Sequence, residues 1–299
     1  MKRKSLKSPS DSVFDWTMAG VPTLVYLIIA LLPCFAGLIF SFTDFGGFSM
    51  KFNWIGWANY KKMFADAAFW KSILNYLKLY FGVVAICFPL AMATAIVLVK
   101  NKRIKEKKFY RVLFFFPSTV PMLIIAVMWM TMYNPSFGVL NQVLGLFGVE
   151  PIQWLGSTKV VMWSMIIMVV WRQFGFYLVY FMAGVSNVPQ DIYESATIDG
   201  ASEMKQVFSI TLPLCWDVVK TSMIFFIQTV SGIGFNIIYI TTQGGPDNAS
   251  QILPTYMYQQ ITQQMDYGMA SAVSVALLVV TFALALLVLG VMKRETYEM

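Results

Sequence analysis

Apolar residues gather in six stretches, at about residues 18–42, 76–99, 111–133, 161–184, 215–241 and 268–292. Each is close to the roughly 20 residues that an α-helix needs to cross about 30 Å of hydrocarbon. The pattern predicts an all-α, polytopic membrane protein of six transmembrane helices. One membrane domain, 18–292, lies between short segments at 1–17 and 293–299, with no internal repeat, linker or low-complexity stretch. The first apolar run exceeds the 7–15 residues of a cleaved leader, carries Pro22 and Pro33, and is closed by no small-x-small site, so it is expected to stay as a helix. Pro89 in the second run and Pro117 and Pro121 in the third predict kinks, since proline removes an amide donor and crowds the preceding turn.

The basic residues orient these spans. Lys2, Arg3, Lys4 and Lys7 precede the first; Lys100, Lys102, Arg103, Lys105, Lys107, Lys108 and Arg111 lie between the second and third; Lys293 and Arg294 follow the sixth. Lys and Arg near span ends are retained in the cytoplasm, which places both termini inside and the 242–267 loop, free of Lys and Arg, outside. The segment 43–75 departs from the rule with Lys51, Lys61, Lys62 and Lys71, but it also carries Trp54, Trp57, Tyr60 and Trp70 and suits a stretch lying in the membrane interface.

Composition agrees. At 58% hydrophobic and 12% charged, the 299-residue chain is too apolar for a water-soluble globule. Its net charge of +7 sits between spans rather than along one soluble face, which favours a lipid bilayer over nucleic acid as partner. The chain has no histidine, and Cys34, Cys87 and Cys215 show no paired spacing, so neither catalytic nor metal-ligating residues are expected. An intramembrane enzyme would lack its constellation, and a proton-coupled carrier its midplane acid, because Asp15, Glu194, Asp217 and Asp266 fall at span ends or in loops.

Two spans carry polar residues that lipid would not tolerate. Arg172 lies about halfway along the fourth, in VVWRQFGFYLVY, where a charge turns to a cavity or to a structural partner on another helix. Gln173, Tyr177 and Tyr180 share roughly one face with each other. In the fifth, Gln228, Ser231, Phe235 and Tyr239 stand at i, i+3, i+7 and i+11 with Asn236 beside them, a stripe that must face inward. Gly232 and Gly234 permit close packing or a bend there. Either a solute pathway or plain interhelical hydrogen bonding accounts for such a stripe.

Between the fourth and fifth spans the chain reads ESATIDGASEMKQVFSITLP, from Glu194 to Pro213. Ser186 or Asn187 as cap and Pro189 in the first turn predict a helix over 190–199, with Asp191 and Glu194 at its positive end and Gly200 as its stop. A second helix, from about Ala201 to Thr211, is expected to end before Pro213. Small residues (Ser195, Ala196, Ala201) and acids (Glu194, Glu203) suit the groove of a basic partner.

The spacing of this loop resembles the EAA loop of binding-protein-dependent ABC importers: E-A-A, three residues, G, nine residues, I-x-L-P. Glu194, Ser195, Ala196, Asp199, Gly200, Ile210, Leu212 and Pro213 fall in that pattern, and its one departure is Ser195 for Ala. The stretch FNWIGWANYKKMF from Phe52, the turn Tyr133, Asn134, Pro135, Gly138 and Asn141, the run Gly244, Gly245, Pro246 and Asn248, and the block Tyr267 to Ser274 are likewise similar to sugar-importer permeases. The ending KRETYEM is more like the type A half of maltose or glycerol-phosphate importers than its companion.

The resemblance implies a type I ABC importer permease fold in a bacterial cell membrane. It implies a second, homologous permease as heterodimer partner, two ATP-binding subunits docked on the EAA loop, and an extracellular or periplasmic solute-binding protein. ATP and Mg would sit on the ATPases, since this chain has no G-x-x-x-x-G-K-[ST] phosphate loop. The implied solute is a carbohydrate, an oligosaccharide first and a phosphorylated or acidic small solute as the alternative. The pathway would be formed by Arg172, Gln173, Tyr177, Tyr180, Gln228, Ser231, Phe235, Asn236 and Tyr239.

Overall fold

The computed structural model describes residues 9–47, 51–101 and 104–293, with side chains from residue 16 onward. Lys2, Arg3, Lys4, Lys7, Lys102, Arg103 and Arg294, and most of the two terminal segments, lie outside the described residues. In chain order the elements are α1 (Pro9–Tyr26), a π-helical turn (Leu27–Leu31), α2 (Leu32–Phe40), α3 (Ala58–Ala65), α4 (Ala67–Lys100), α5 (Lys107–Thr119), α6 (Met122–Met132) and α7 (Val139–Gly145). They continue with α8 (Val161–Ser186), α9 (Gln190–Ile198), α10 (Glu203–Gln206), a second π turn (Val207–Thr211), α11 (Leu212–Leu214), α12 (Trp216–Thr241), α13 (Leu253–Thr262) and α14 (Tyr267–Val291). The only extended pairing among the described residues is a single bridge, Thr43 with Trp54.

Five helical stretches are long and apolar enough to cross a membrane: Trp16–Phe40, α4, α8, α12 and α14. The third expected span is not one helix. It is the pair α5 and α6, bent by 95° at Val120 and Pro121. Pro121 has no amide to donate and forces Val120 out of the helical region, to φ −75° and ψ 135°. At 1.5 Å per residue neither half reaches across the hydrocarbon alone. The expected kink is therefore a break. Pro89, by contrast, lies inside α4 without interrupting it.

The chain divides into two compact units, each with its own packing. One comprises Met1–Ala65 and Gln259–Ala276. Here Asp44 N donates to Asn53 O and Ile55 N to Phe42 O, closing a short turn, and Phe42 stacks on Trp54 with ring centres 5.5 Å apart. The Asn53 backbone and side chain hold the Asp44 carboxyl below the usual carboxylate range. Trp54 and Trp57 stay largely exposed, as aromatic residues at a membrane interface do. Two stretches distant in sequence meet at Thr43: Asn59 Nδ2 donates to the carbonyls of Ser41 and Thr43, and a Cβ on Gly268 would fall 2.2 Å from the Thr43 oxygen. Lys62 pairs with Asp266 at 2.8 Å.

The other unit comprises Asp66–Tyr258 and Leu277–Met299. α4 and α8 pair along their length. Leu79, Val83, Cys87, Ala91 and Ala95 recur at helical spacing on the buried face of α4, against Met165, Val169, Leu178 and Phe181 of α8. Aromatic rings lock α12 to this pair: Phe226 stacks on Tyr80 at 5.7 Å and meets Tyr177 edge-on at 6.1 Å. Such contacts add about 0.5–1.5 kcal/mol each beyond burial. Gly175 decides where α5 runs, for a Cβ there would lie 1.8 Å from the Phe114 carbonyl oxygen. Gly234 is similarly closed in by Leu79 and Ile252, whereas Gly232 has open space beside it.

The loops of this unit are tied by buried polar groups. Asn141 bonds to Pro135 O, to both backbone groups of Ile152 and to the Trp154 indole, which joins two turns through one amide. Asn75 donates to the carbonyls of Asn248 and Gln251, and Lys71 pairs with Asp247 at 3.2 Å. The 242–267 stretch is thus no plain solvated loop. Ser250, Gln251, Ile252 and Leu253 are buried in it, and it contains the whole of α13.

Gly175→Ala is expected to force α5 off α8, since backbone rather than a flexible side chain blocks the new methyl. Overpacking of this kind costs about 1–3 kcal/mol. The purified protein should then melt several degrees lower than wild type, as read by thermal shift in detergent.

Candidate functional site

A polar opening of the second unit is a cavity of about 570 Å³ among α5, α6, α8 and α12. The α5–α6 break supplies Phe115, Ser118, Thr119 and Met122; α8 supplies Arg172, Gln173 and Phe176; α12 supplies Phe225, Gln228, Thr229, Gly232, Ile233 and Asn236. The wall alternates rings, hydroxyls and amides around one guanidinium. Its existence follows from the packing just described, because the close crossing at Gly175 brings Phe115 and Ser118 opposite Gln173 and Phe176.

Four of the nine expected pathway residues line this cavity: Arg172, Gln173, Gln228 and Asn236. The other five lie elsewhere. Tyr177 is fully buried between Phe88, Phe181 and Phe226, and Tyr180 is on an exposed part of α8. Ser231 hydrogen-bonds Tyr76 at 2.8 Å. Phe235 and Tyr239 stack on each other at 5.5 Å and both meet Tyr258. The cavity face of α12 therefore runs through Phe225, Gln228, Thr229, Gly232 and Asn236, turned by about 80° from the expected stripe at 100° per residue. Phe235 and Tyr239, expected as lining, meet each other and Tyr258 rather than this cavity. The contributions of α5 and α6 went unread, although Pro117 and Pro121 marked the place.

The second feature is the stretch from Gln190 to Leu214. α9 ends at Asp199, and Gly200 adopts φ +77°, the left-handed region that suits glycine, while the Ala201 amide returns to the Ala196 carbonyl. Ser202 then caps α10 by accepting from Lys205 N. Three local expectations are corrected. Pro189, not Ser186 or Asn187, is the cap residue of α9. The second helix begins at Glu203 rather than Ala201. Nor does it end at Pro213, because a π turn over Val207–Thr211 absorbs the missing donor and the backbone runs on into α11, with Pro213 in its first turn.

The loop is held from one side only. Lys100, at the end of α4, donates to Gln206 Oε1 at 3.2 Å and sits 4.0 Å over the Tyr193 ring. Gln206 Nε2 donates to Thr197 Oγ1 and Ala201 O, and Tyr193 shares a hydrogen bond with Thr211. Burial raises the Tyr193 hydroxyl above the ordinary phenol range. On the opposite side Ile198, Met204 and Phe208 are exposed, Ile198 by 86%. Glu194 accepts from Gln190 at 2.8 Å and is exposed with Ser195 and Asp199, while Ala196, Ile210, Leu212 and Pro213 are partly covered.

Residues 86–294 match the family described as binding-protein-dependent transport system inner membrane component. The diacetylchitobiose uptake system permease protein NgcF of Streptomyces coelicolor is 33% identical over 92% of this chain and 81% of its own. The trehalose/maltose transport system permease protein MalF of Thermococcus litoralis is 31% identical over 91% of each. Among solved structures, a bacterial ABC transporter involved in the import of the acidic polysaccharide alginate shares the fold, with a TM-score of 0.82 at 23% identity over 96% of this chain and 99% of that one. A multi-span helical protein with a polar cavity in its bundle and with these relatives belongs to the binding-protein-dependent transport system inner membrane components, the permease subunits of ABC importers.

Proposed function

We propose that this permease carries a carbohydrate, an oligosaccharide, through the α5–α6–α8–α12 cavity, driven by ATPases docked on the 190–213 loop. The observation that carries this reading is a helical path from loop to cavity. From Val207 the backbone turns through the π segment and α11 into α12, whose residues 225–236 form a wall of the cavity. A push on the loop is thereby delivered to the solute site by a stiff element, which alternating access requires. Hydroxyls, amides and rings are the groups that bind sugars by hydrogen bonds and stacking. The curated relatives named for diacetylchitobiose and for trehalose/maltose support the solute class.

In this reading the exposed Ile198, Met204 and Phe208 enter a cleft of an ATPase, with Glu194 facing a basic residue there. Lys100 and Gln206 hold the loop at its working angle. The two termini share the cytoplasmic side with the loop. A second, homologous permease completes the pathway, two ATPases supply ATP and Mg, and a solute-binding protein delivers the sugar from outside. Glu194, Ser195, Ala196, Asp199, Gly200, Ile210, Leu212 and Pro213 then shape the docking element.

Glu194→Arg combined with Gly200→Pro should abolish sugar-stimulated ATP hydrolysis and uptake by the reconstituted importer while the membrane subunits still insert, because proline cannot adopt a positive φ. Normal transport by this variant would sink the docking assignment and favour ion coupling. Within the cavity, Gln228→Leu or Asn236→Leu should each lower uptake about tenfold, the worth of one hydrogen bond. Tyr239→Phe should stay within about threefold of wild type, and a larger loss would restore Tyr239 to the pathway.

A further inference from the structure

The polar groups around the cavity differ in one respect. Four of its neutral ones already have partners within their own helices: Ser118 Oγ donates to Phe115 O, Thr119 Oγ1 to Phe116 O, Thr229 Oγ1 to Phe225 O and Asn236 Nδ2 to Gly232 O. Arg172 does not. One of its terminal nitrogens donates to the neighbouring Gln173 amide oxygen, its Nε is buried with no partner, and it joins no ion pair among the described residues. No Asp or Glu lines the cavity. A guanidinium kept inside a membrane bundle without an anion costs several kcal/mol, so an anion that enters the cavity from outside this chain gains by meeting it.

We infer that the cavity takes an oligosaccharide bearing a carboxylate, a uronate-type sugar whose carboxyl group sits on the Arg172 guanidinium. The inference builds on the carbohydrate reading above. The fork of donors matches a planar carboxylate in a bidentate geometry, and one cation balances one negative charge. A phosphate ester, with about −1.5 to −2 charges, would keep an excess that no second cation in this lining offsets. Phe115, Phe176 and Phe225 offer rings for the sugar faces, and Gln228 and Asn236 offer amides for its hydroxyls. A carboxylate could also reach Arg172 from the second permease subunit, and the experiment separates the two sources.

The test uses the complete importer, with its ATPases and binding protein, in proteoliposomes. The probes are neutral trisaccharides in which one residue is replaced by galacturonate, guluronate, mannuronate or glucuronate, their carboxyl-reduced counterparts, and maltotriose. At least one trisaccharide with a single uronate is expected to stimulate ATP hydrolysis and to be taken up, with its reduced counterpart at least about 30-fold poorer. Arg172→Met should remove that preference and Arg172→Lys should retain part of it. If only neutral trisaccharides drive the wild type and Arg172→Met responds alike, the carboxylate inference fails while the carbohydrate reading stands. If no trisaccharide stimulates an importer whose ATPases are bound and active, both fail. If Arg172→Met releases the second permease subunit on size exclusion before sugar is added, the carboxylate belongs to that subunit and the inference is overturned.

Discussion

The crossing of α8 and α5 at Gly175 is the contact on which the functional part of the molecule depends. No side chain fits between the Gly175 Cα and the Phe114 carbonyl, so the two backbones touch. Lipid gives helices little hydrophobic reason to associate, and close backbone approach through small residues replaces it with dispersion. With α5 laid against α8, the C-terminal end of α5 and the middle of α8 face α12 across a gap, and that gap is the cavity. A larger residue at 175 would move the wall, not merely loosen the core.

The break at Pro121 is the second half of the same design. Irregular backbone at membrane depth is tolerated only where it is buried in protein or lines a cavity. Here it does the latter: Ser118, Thr119 and Met122 flank the break and line the opening. The Ser118 and Thr119 hydroxyls return to carbonyls of α5, which satisfies that helix end without a neighbouring helix. The turn also lets α6 pack on α12 while α5 packs on α8, so a single interrupted span braces both walls.

The 190–213 loop shows a different balance. Its inner side is fixed by Lys100, Gln206, Tyr193 and Thr211, a small polar network anchored on the end of α4. Its outer side leaves Ile198, Met204 and Phe208 in the open. Exposed apolar side chains on a well-braced loop are what the proposed docking requires, and the brace gives them a defined orientation. The π turn matters here because it carries Pro213 without ending the helix, so that the loop leads into α12 through stiff backbone.

Hydropathy by itself determined the helical membrane class, and the fixed spacing from Glu194 to Pro213 determined the family, because both signals are local and tolerate no alternative fold. The inward placement of Arg172, Gln173, Gln228 and Asn236 was legible too, since polar residues within a span have few other places to go. What remained hidden were rotations and angles. The stripe through Ser231, Phe235 and Tyr239 obeys helical spacing as well as the stripe through Thr229 and Gly232, and only contacts with Tyr76 and Tyr258 decide which of them faces a neighbour. Pro117 and Pro121 announced a bend, but its 95° came from the two different helices that α5 and α6 found to pack against. Sequence periodicity fixes which residues share a face; which face meets which partner is set by packing between segments far apart in the chain.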